Sequence, residues 1–338
     1  MQKSASAEDL IRQGSKSFSL ASVFLHAQTK PDVLLLYAFC RTCDDEIDES
    51  GPDSGFAALL KLQELTFESP SGPHSWIFEG IQALLRSRTL RPEYIEELFE
   101  GFRMDLEHRG YPSLADLELY CFRVAGVVGL MMCPLIGVVN PAARDAAVNL
   151  GIAMQLTNIC RDIQADAKIG RVYVPLDLLG GGTVQDWSEK LSVLPELAHE
   201  SALRLLARAD ELYSSGNRGL VDLPFRSALA IACASALYGR IGLQLLKNHR
   251  IMGEGAFRQR TVVPGFLKVR AMIEGILRAI QSRFEKKKTR QHAVPAADWD
   301  LWRYPGPRPS PSARTAQTGS ASKARARDPQ TFAPPSKS

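Results

Sequence analysis

The chain has 338 residues, 45% hydrophobic and 23% charged, proportions that give a globular protein with a sizeable core and exclude a disordered or fibrous one. Its net charge of +4 is unevenly placed: residues 286–338 carry 11 Lys or Arg against 3 Asp, which leaves residues 1–285 at −4. A uniformly basic nucleic-acid binder would not divide that way, so no nucleic-acid partner is expected.

Apolar positions recurring at three and four predict helices over 32–48, 93–107, 114–136, 141–165, 197–214, 226–249 and 264–288. Strand-like alternation is nearly absent. Breakers fall between these segments at Ser50-Gly51-Pro52, Ser69-Pro70-Ser71-Gly72-Pro73, Gly180-Gly181-Gly182 and Gly253-Glu254-Gly255. An all-α single domain over 1–290 follows, with no solenoid repeat. The tail 291–338 holds 8 of the 20 prolines and is expected to be a disordered basic segment. The triple glycine lacks the preceding strand and the Gly-Lys-Ser/Thr of a phosphate loop.

Residues 124–139 form an uncharged run of 16, shorter than the ~20 residues of a spanning helix. Gly126, Gly129 and Pro134 interrupt it, so a buried core helix ending near Pro134 is expected. Six cysteines, at 40, 43, 121, 133, 160 and 233, are too sparse for a disulfide framework, and the N-terminus reads as no secretory signal. The expected compartment is the cytoplasm.

Chemistry concentrates in two helices. In the first, Tyr37, Arg41, Asp44 and Asp48 are spaced 4, 3 and 4, which at about 100° per residue puts them on one face. Asp45 and Glu46 fall off that face. A surface helix gains nothing from crowding these acids, since like charges at i,i+4 repel by roughly 0.2–0.5 kcal/mol; something cationic belongs among them. In the second, Gln155, Asn158, Asp162 and Asp166 share a face at spacings 3, 4 and 4. Carboxylates and amide oxygens without His or Cys at ligand spacing select Mg²⁺, with Mn²⁺ as a substitute, over zinc. Mg²⁺ is usually held by one or two carboxylates plus substrate phosphates, so two such helices describe a diphosphate site. Cys40 and Cys43 form a C-x-x-C beside acids that would raise thiol pKa, and read as packing residues; the six scattered His read as structural. Arg171 and Tyr173 could simply close a loop after the second motif.

Gly14-Ser-Lys-Ser-Phe18, Tyr37-Ala-Phe-Cys-Arg41 running into Asp44-Asp-Glu-Ile-Asp48, Tyr120-Cys-Phe-Arg-Val-Ala-Gly-Val-Val-Gly129, and Gln155-Leu-Thr-Asn158 through Asp162, Asp166 and Arg171-Val-Tyr173-Val-Pro175 together resemble the squalene/phytoene synthase family, most of all its bacterial phytoene synthases. The resemblance spans roughly 10–288 and implies an isoprenoid synthase helical bundle around a central cavity. In this family two allylic diphosphates join head to head. One ionises, its C1 cation is attacked by the other's double bond, and proton loss gives a cyclopropyl diphosphate that ionises, rearranges and loses a further proton. The resemblance implies Asp44, Asp48, Asp162 and Asp166 as metal-binding, with Gln155 and Asn158 beside them. It implies Ser17, Arg41, Arg171 and Arg260 as holding diphosphate, and Tyr238 as lying near the reacting carbons. The helix around 124–132 suits a dry tunnel for the carbocation.

Three functions stay open. The leading one is a phytoene synthase that joins two geranylgeranyl diphosphates with Mg²⁺ and no nicotinamide. A second uses farnesyl diphosphate to make a C30 product of the squalene or dehydrosqualene type. A third is a non-catalytic scaffold of the same fold, against which both intact aspartate motifs argue. Long hydrocarbon substrates give reason for peripheral membrane contact, on the inner face of the cell membrane, through the apolar face of 264–288 or the basic tail; other carotenoid-pathway enzymes are further candidate partners. The run Glu285-Lys-Lys-Lys-Thr-Arg290 could alternatively serve only the helix dipole.

Overall fold

The computed structural model describes residues 16–285 apart from positions 139 and 259. The expected domain limit at 290, the tail 291–338 and the end of the last helix at 286–288 lie outside the described residues. The α-helices among them are α1 (Lys16–Ser22), α2 (Lys30–Glu49), α3 (Gly51–Phe67), α4 (Ser75–Arg86), α5 (Pro92–Glu107), α6 (Leu114–Cys121), α7 (Val127–Leu135), α8 (Ala142–Lys168), α9 (Val184–Val193), α10 (His199–Arg218), α11 (Phe225–Met252) and α12 (Gly265–Glu285). No strand occurs among the described residues. The all-α reading therefore holds, but α1, α3, α4 and α9 were not predicted. α4 carried the signal: Ile77, Phe78 and Ile81 recur on one face, and all three are buried.

The face chemistry of α2 follows from what it buries. Leu36, Phe39, Cys43 and Ile47 are buried on a stripe roughly 120° round the helix from Tyr37, Arg41, Asp44 and Asp48. Phe39 meets Phe78 of α4 and Phe99 of α5 edge-on, at 5.9 and 6.4 Å between ring centres, and Phe67 of α3 meets Phe99 at 6.2 Å. This aromatic cluster locks α2 between α3, α4 and α5 and fixes which way its carboxylates point.

α8 is the central helix, with α7, α9, α10 and α11 packed around it. Its contact with the 114–135 segment is backbone to backbone. A Cβ on Gly129 would stand 2.5 Å from the Ala147 carbonyl oxygen, and one on Gly151 2.4 Å from that of Ala125. The glycines that looked like interruptions are thus packing contacts. The 114–136 helix does contain a real irregularity, a π-turn at Phe122–Gly126, a feature frequent at functional sites. The helix ends near Pro134 as expected, running to Leu135 with the proline in its last turn. Leu114–Leu135 and Phe225–Arg258 are long and apolar enough to cross a membrane by length and composition, and half or more of each is buried within the fold.

Candidate active site

A cavity of about 820 Å³ opens between α2, α5, α6, α8, α11 and the loop before α12. Its wall carries Ser17, Arg41, Asp44, Asp48, Gln155, Asn158, Asp162, Tyr238 and Arg260, nine of the eleven residues singled out from sequence. The other two stand just beside it. Asp166 and Arg171 line a small neighbouring recess, from which Arg171 Nη1 donates to Asp48 Oδ1 at 2.8 Å. Asp45 is absent from the wall and pairs with Arg41 along the helix surface.

Each carboxylate has its own electrostatic setting. Burial would raise Asp162, but hydrogen bonds from Arg161 and from Arg260 Nε, the latter at 2.8 Å, outweigh it and hold the carboxyl below its usual range. Asp166, one turn on, is pushed up to about 7 by burial and by the charge of Asp162. Asp44 is raised to about 6 by burial and then by Asp48, although Arg41 Nη1 donates to it at 3.3 Å. Its side chain is 47% exposed and lines the cavity. Uncompensated negative charge is thus built into both helices.

These donors fit a hard divalent cation. They are all oxygens, two of the carboxylates resist ionising without added positive charge, and the buried Asn158 Oδ1 has no hydrogen-bond partner among the described residues. No three His, Cys, Asp or Glu among the described residues close on one point; the carboxylates stand as pairs on two helices. That suits a cation whose remaining ligands come from a bound molecule.

Behind the charged mouth the lining changes character. Tyr37, Cys40, Val124, Gln155, Asn158 and Tyr238 border both the cavity and an apolar tunnel of about 290 Å³. Val124, Ala125, Val128, Gly129 and Met132 form one side of that tunnel, and its lining also includes Ala146, Gly216 and Gly219. Phe18 stacks on Tyr37 at 4.9 Å, and burial followed by Tyr238 pushes the Tyr37 hydroxyl up to about 12. Cys40 and Cys43 are free thiols, both raised first by burial, Cys40 to about 12 with Asp44 as the second cause and Cys43 with Cys40 and then Asp44 and Glu46 behind burial; neither is set up for redox chemistry.

Two residues in this wall, Asp105 and Arg161, escaped the sequence reading. Asp105 of α5 is buried and accepts hydrogen bonds from Tyr120 Oη at 3.0 Å and Tyr173 Oη at 2.7 Å. Burial lifts its carboxyl to about 7 while the two hydroxyls pull the other way. Tyr120 and Tyr173 stood inside the quoted motifs. Their shared partner lies 15 and 68 residues away, which no local pattern reveals. Arg161 is the first clamp on Asp162.

The squalene/phytoene synthase family model matches residues 11–266. The chain is 35% identical to a 15-cis-phytoene synthase of Pantoea ananas over 88% of this chain and 97% of that one. It is 38% identical to a 15-cis-phytoene synthase of Paracoccus sp. over 75% and 84%. Among solved structures, a dehydrosqualene synthase in complex with ligand superposes with TM-score 0.67 at 27% identity, covering 80% of this chain and 93% of that one. The likeness runs through both aspartate helices and the cavity between them, and the chain belongs to the squalene/phytoene synthase family.

Proposed function

We propose that this protein condenses two molecules of geranylgeranyl diphosphate, through a cyclopropyl diphosphate, to phytoene, releasing diphosphate and so committing carbon to carotenoids. The observation that carries the reading is the charged mouth opening directly into an apolar tunnel, a shape matched to a diphosphate head on a long hydrocarbon chain. The choice of a C20 chain and a C40 product is supported by relatives named phytoene synthases at 35–38% identity.

Asp44, Asp48, Asp162, Asp166 and Asn158 are the residues that would hold Mg²⁺. The ion, when bound, acts as a Lewis acid on the departing diphosphate. Arg41, Arg171 and Arg260 rest on Asp44, Asp48 and Asp162 and are the guanidiniums that would take diphosphate oxygens, bidentate where geometry allows. Tyr37 and Tyr238 sit where mouth becomes tunnel, beside the carbon that loses its diphosphate, and a ring face there favours a cation. The tunnel wall keeps water from the carbocation, and Asp105 with its two tyrosines offers a group that can hold a proton at the cavity surface. A nicotinamide has no step to serve in this sequence.

We further propose a cytoplasmic protein peripheral to the inner membrane face, where such substrates partition. The likeness to a dehydrosqualene synthase favours a second reading, condensation of farnesyl diphosphate to a C30 hydrocarbon. The two separate in one experiment: purified protein and Mg²⁺, without nicotinamide, are offered each diphosphate singly and the lipid extract is resolved into C40 and C30 hydrocarbons. Phytoene from the C20 substrate supports the first reading; product from farnesyl diphosphate alone replaces it with the second.

A further inference from the structure

The final helix is amphipathic the wrong way round for a core helix. α12 turns Ala271, Gly275, Ala279 and Ser282 inward, where Gly275 presses on the backbone at Cys233 of α11. Its large side chains point out: Phe266 is 73% exposed, Val269 61%, Ile273 53%, Leu277 59%, Ile280 41% and Phe284 70%. At about 100° per residue these six fall within an arc of roughly 80° opposite the small-residue face. A soluble helix gains nothing from turning its large side chains to water and its small ones to the core.

Its surroundings define the occupant. Arg270 borders the stripe and pairs with Glu274 at 3.0 Å, Arg278 is exposed further round the helix, Arg283 at the far end lies over the Phe225 ring at 5.5 Å and donates to the Leu223 carbonyl at 2.7 Å, and the sequence continues into Lys286-Lys-Lys-Thr-Arg290. The near end starts at the cavity mouth, where Val262, 73% exposed, and Lys268 belong to the cavity wall. A second copy of the chain is poorly served. The stripe is about 27 Å long and about 10 Å wide, roughly 540 Å² for two copies where a stable dimer needs about 1,200 Å². A helix lying in a bilayer interface needs only such a stripe flanked by basic residues.

We infer that the outward face of α12 is a membrane-docking surface. It sinks Phe266, Val269, Ile273, Leu277, Ile280 and Phe284 into the acyl boundary of an anionic bilayer and holds the cavity mouth against the lipid. This rests on the prenyl diphosphate reading for its purpose, but its test does not use substrate.

The full chain is floated with vesicles of phosphatidylcholine alone and with added phosphatidylglycerol, beside the Ile273→Glu/Leu277→Glu double variant, whose positions lie outside the cavity. The wild type floats with both vesicle types, more with the anionic one at low salt, and the variant loses at least about tenfold in partitioning while keeping its circular dichroism and its turnover in detergent. If the double variant misfolds, Phe266→Trp decides instead: brominated acyl chains quench more of its fluorescence than of the wild type's. A variant that floats as well as the wild type, a wild-type chain that does not float, added tryptophan that is not quenched, or a wild-type dimer that the variant dissolves each overturns the assignment. Vesicle binding without turnover of any prenyl diphosphate would instead count against the proposed function alone.

Discussion

Asp162 and Asp166 sit one turn apart on α8 yet oppose each other in their effect on the cation-free protein. Asp166 has its carboxyl raised to about 7. Folding therefore costs nothing through this group below the unfolded value, near 4, and costs progressively more as pH rises toward 7. Asp162, held low by two arginines, contributes stability above the unfolded value and loses it as pH falls. In thermal melts with chelator, Asp166→Asn should match wild type near pH 4 and melt a few degrees higher at pH 8, while Asp162→Asn should melt lower at pH 8. An Asp166→Asn protein that melts at or below wild type at pH 8 would contradict this electrostatic picture. Catalysis reverses the ranking: alanine at Asp44, Asp48, Asp162 or Asp166 should each cut turnover by about a hundredfold or more with helical circular dichroism intact. Asp45→Ala, which removes only a surface pair with Arg41, should cost far less. Asp45→Ala worse than Asp44→Ala would move the functional face of α2.

At the level of elements, the crossing of α8 with the 114–135 segment sets both stability and the bore of the tunnel. Gly151→Ala places a methyl group against the Ala125 carbonyl and should cost about 1–3 kcal/mol in chemical denaturation; a neutral result would mean that the two helices part easily there. Val128 faces the tunnel, so Val128→Phe should shorten the chain it accepts and lower turnover of geranylgeranyl diphosphate more than of farnesyl diphosphate in side-by-side assays. Equal losses would place chain-length control elsewhere. The aspartate faces were legible in the sequence because helical spacing turns 3 and 4 into a direction, and α2 and α8 are long regular helices. Gly126 and Gly129 were misread as interruptions because their meaning lies in what they touch, Val148 and the Ala147 carbonyl of α8, some twenty residues on. Asp105 gave no local sign, being one acid in an amphipathic helix until Tyr120 and Tyr173 fold over it. α3 opens on Gly-Pro-Asp-Ser-Gly, which reads as a turn, and in the structure Gly51 does make that turn at φ +70° before the helix runs on.

Taken whole, the molecule runs along one axis of polarity, from arginines and carboxylates at the mouth through Tyr37 and Tyr238 to an apolar interior, with an apolar helix face laid on the outside beside the mouth. This axis suits the proposed joining of two C20 diphosphates. The most direct measurement is the product analysis of purified protein given geranylgeranyl diphosphate and Mg²⁺ with no nicotinamide. The account predicts phytoene together with released diphosphate, and a loss of both on chelation. No C40 hydrocarbon under those conditions, with a C30 hydrocarbon formed from farnesyl diphosphate, would contradict it.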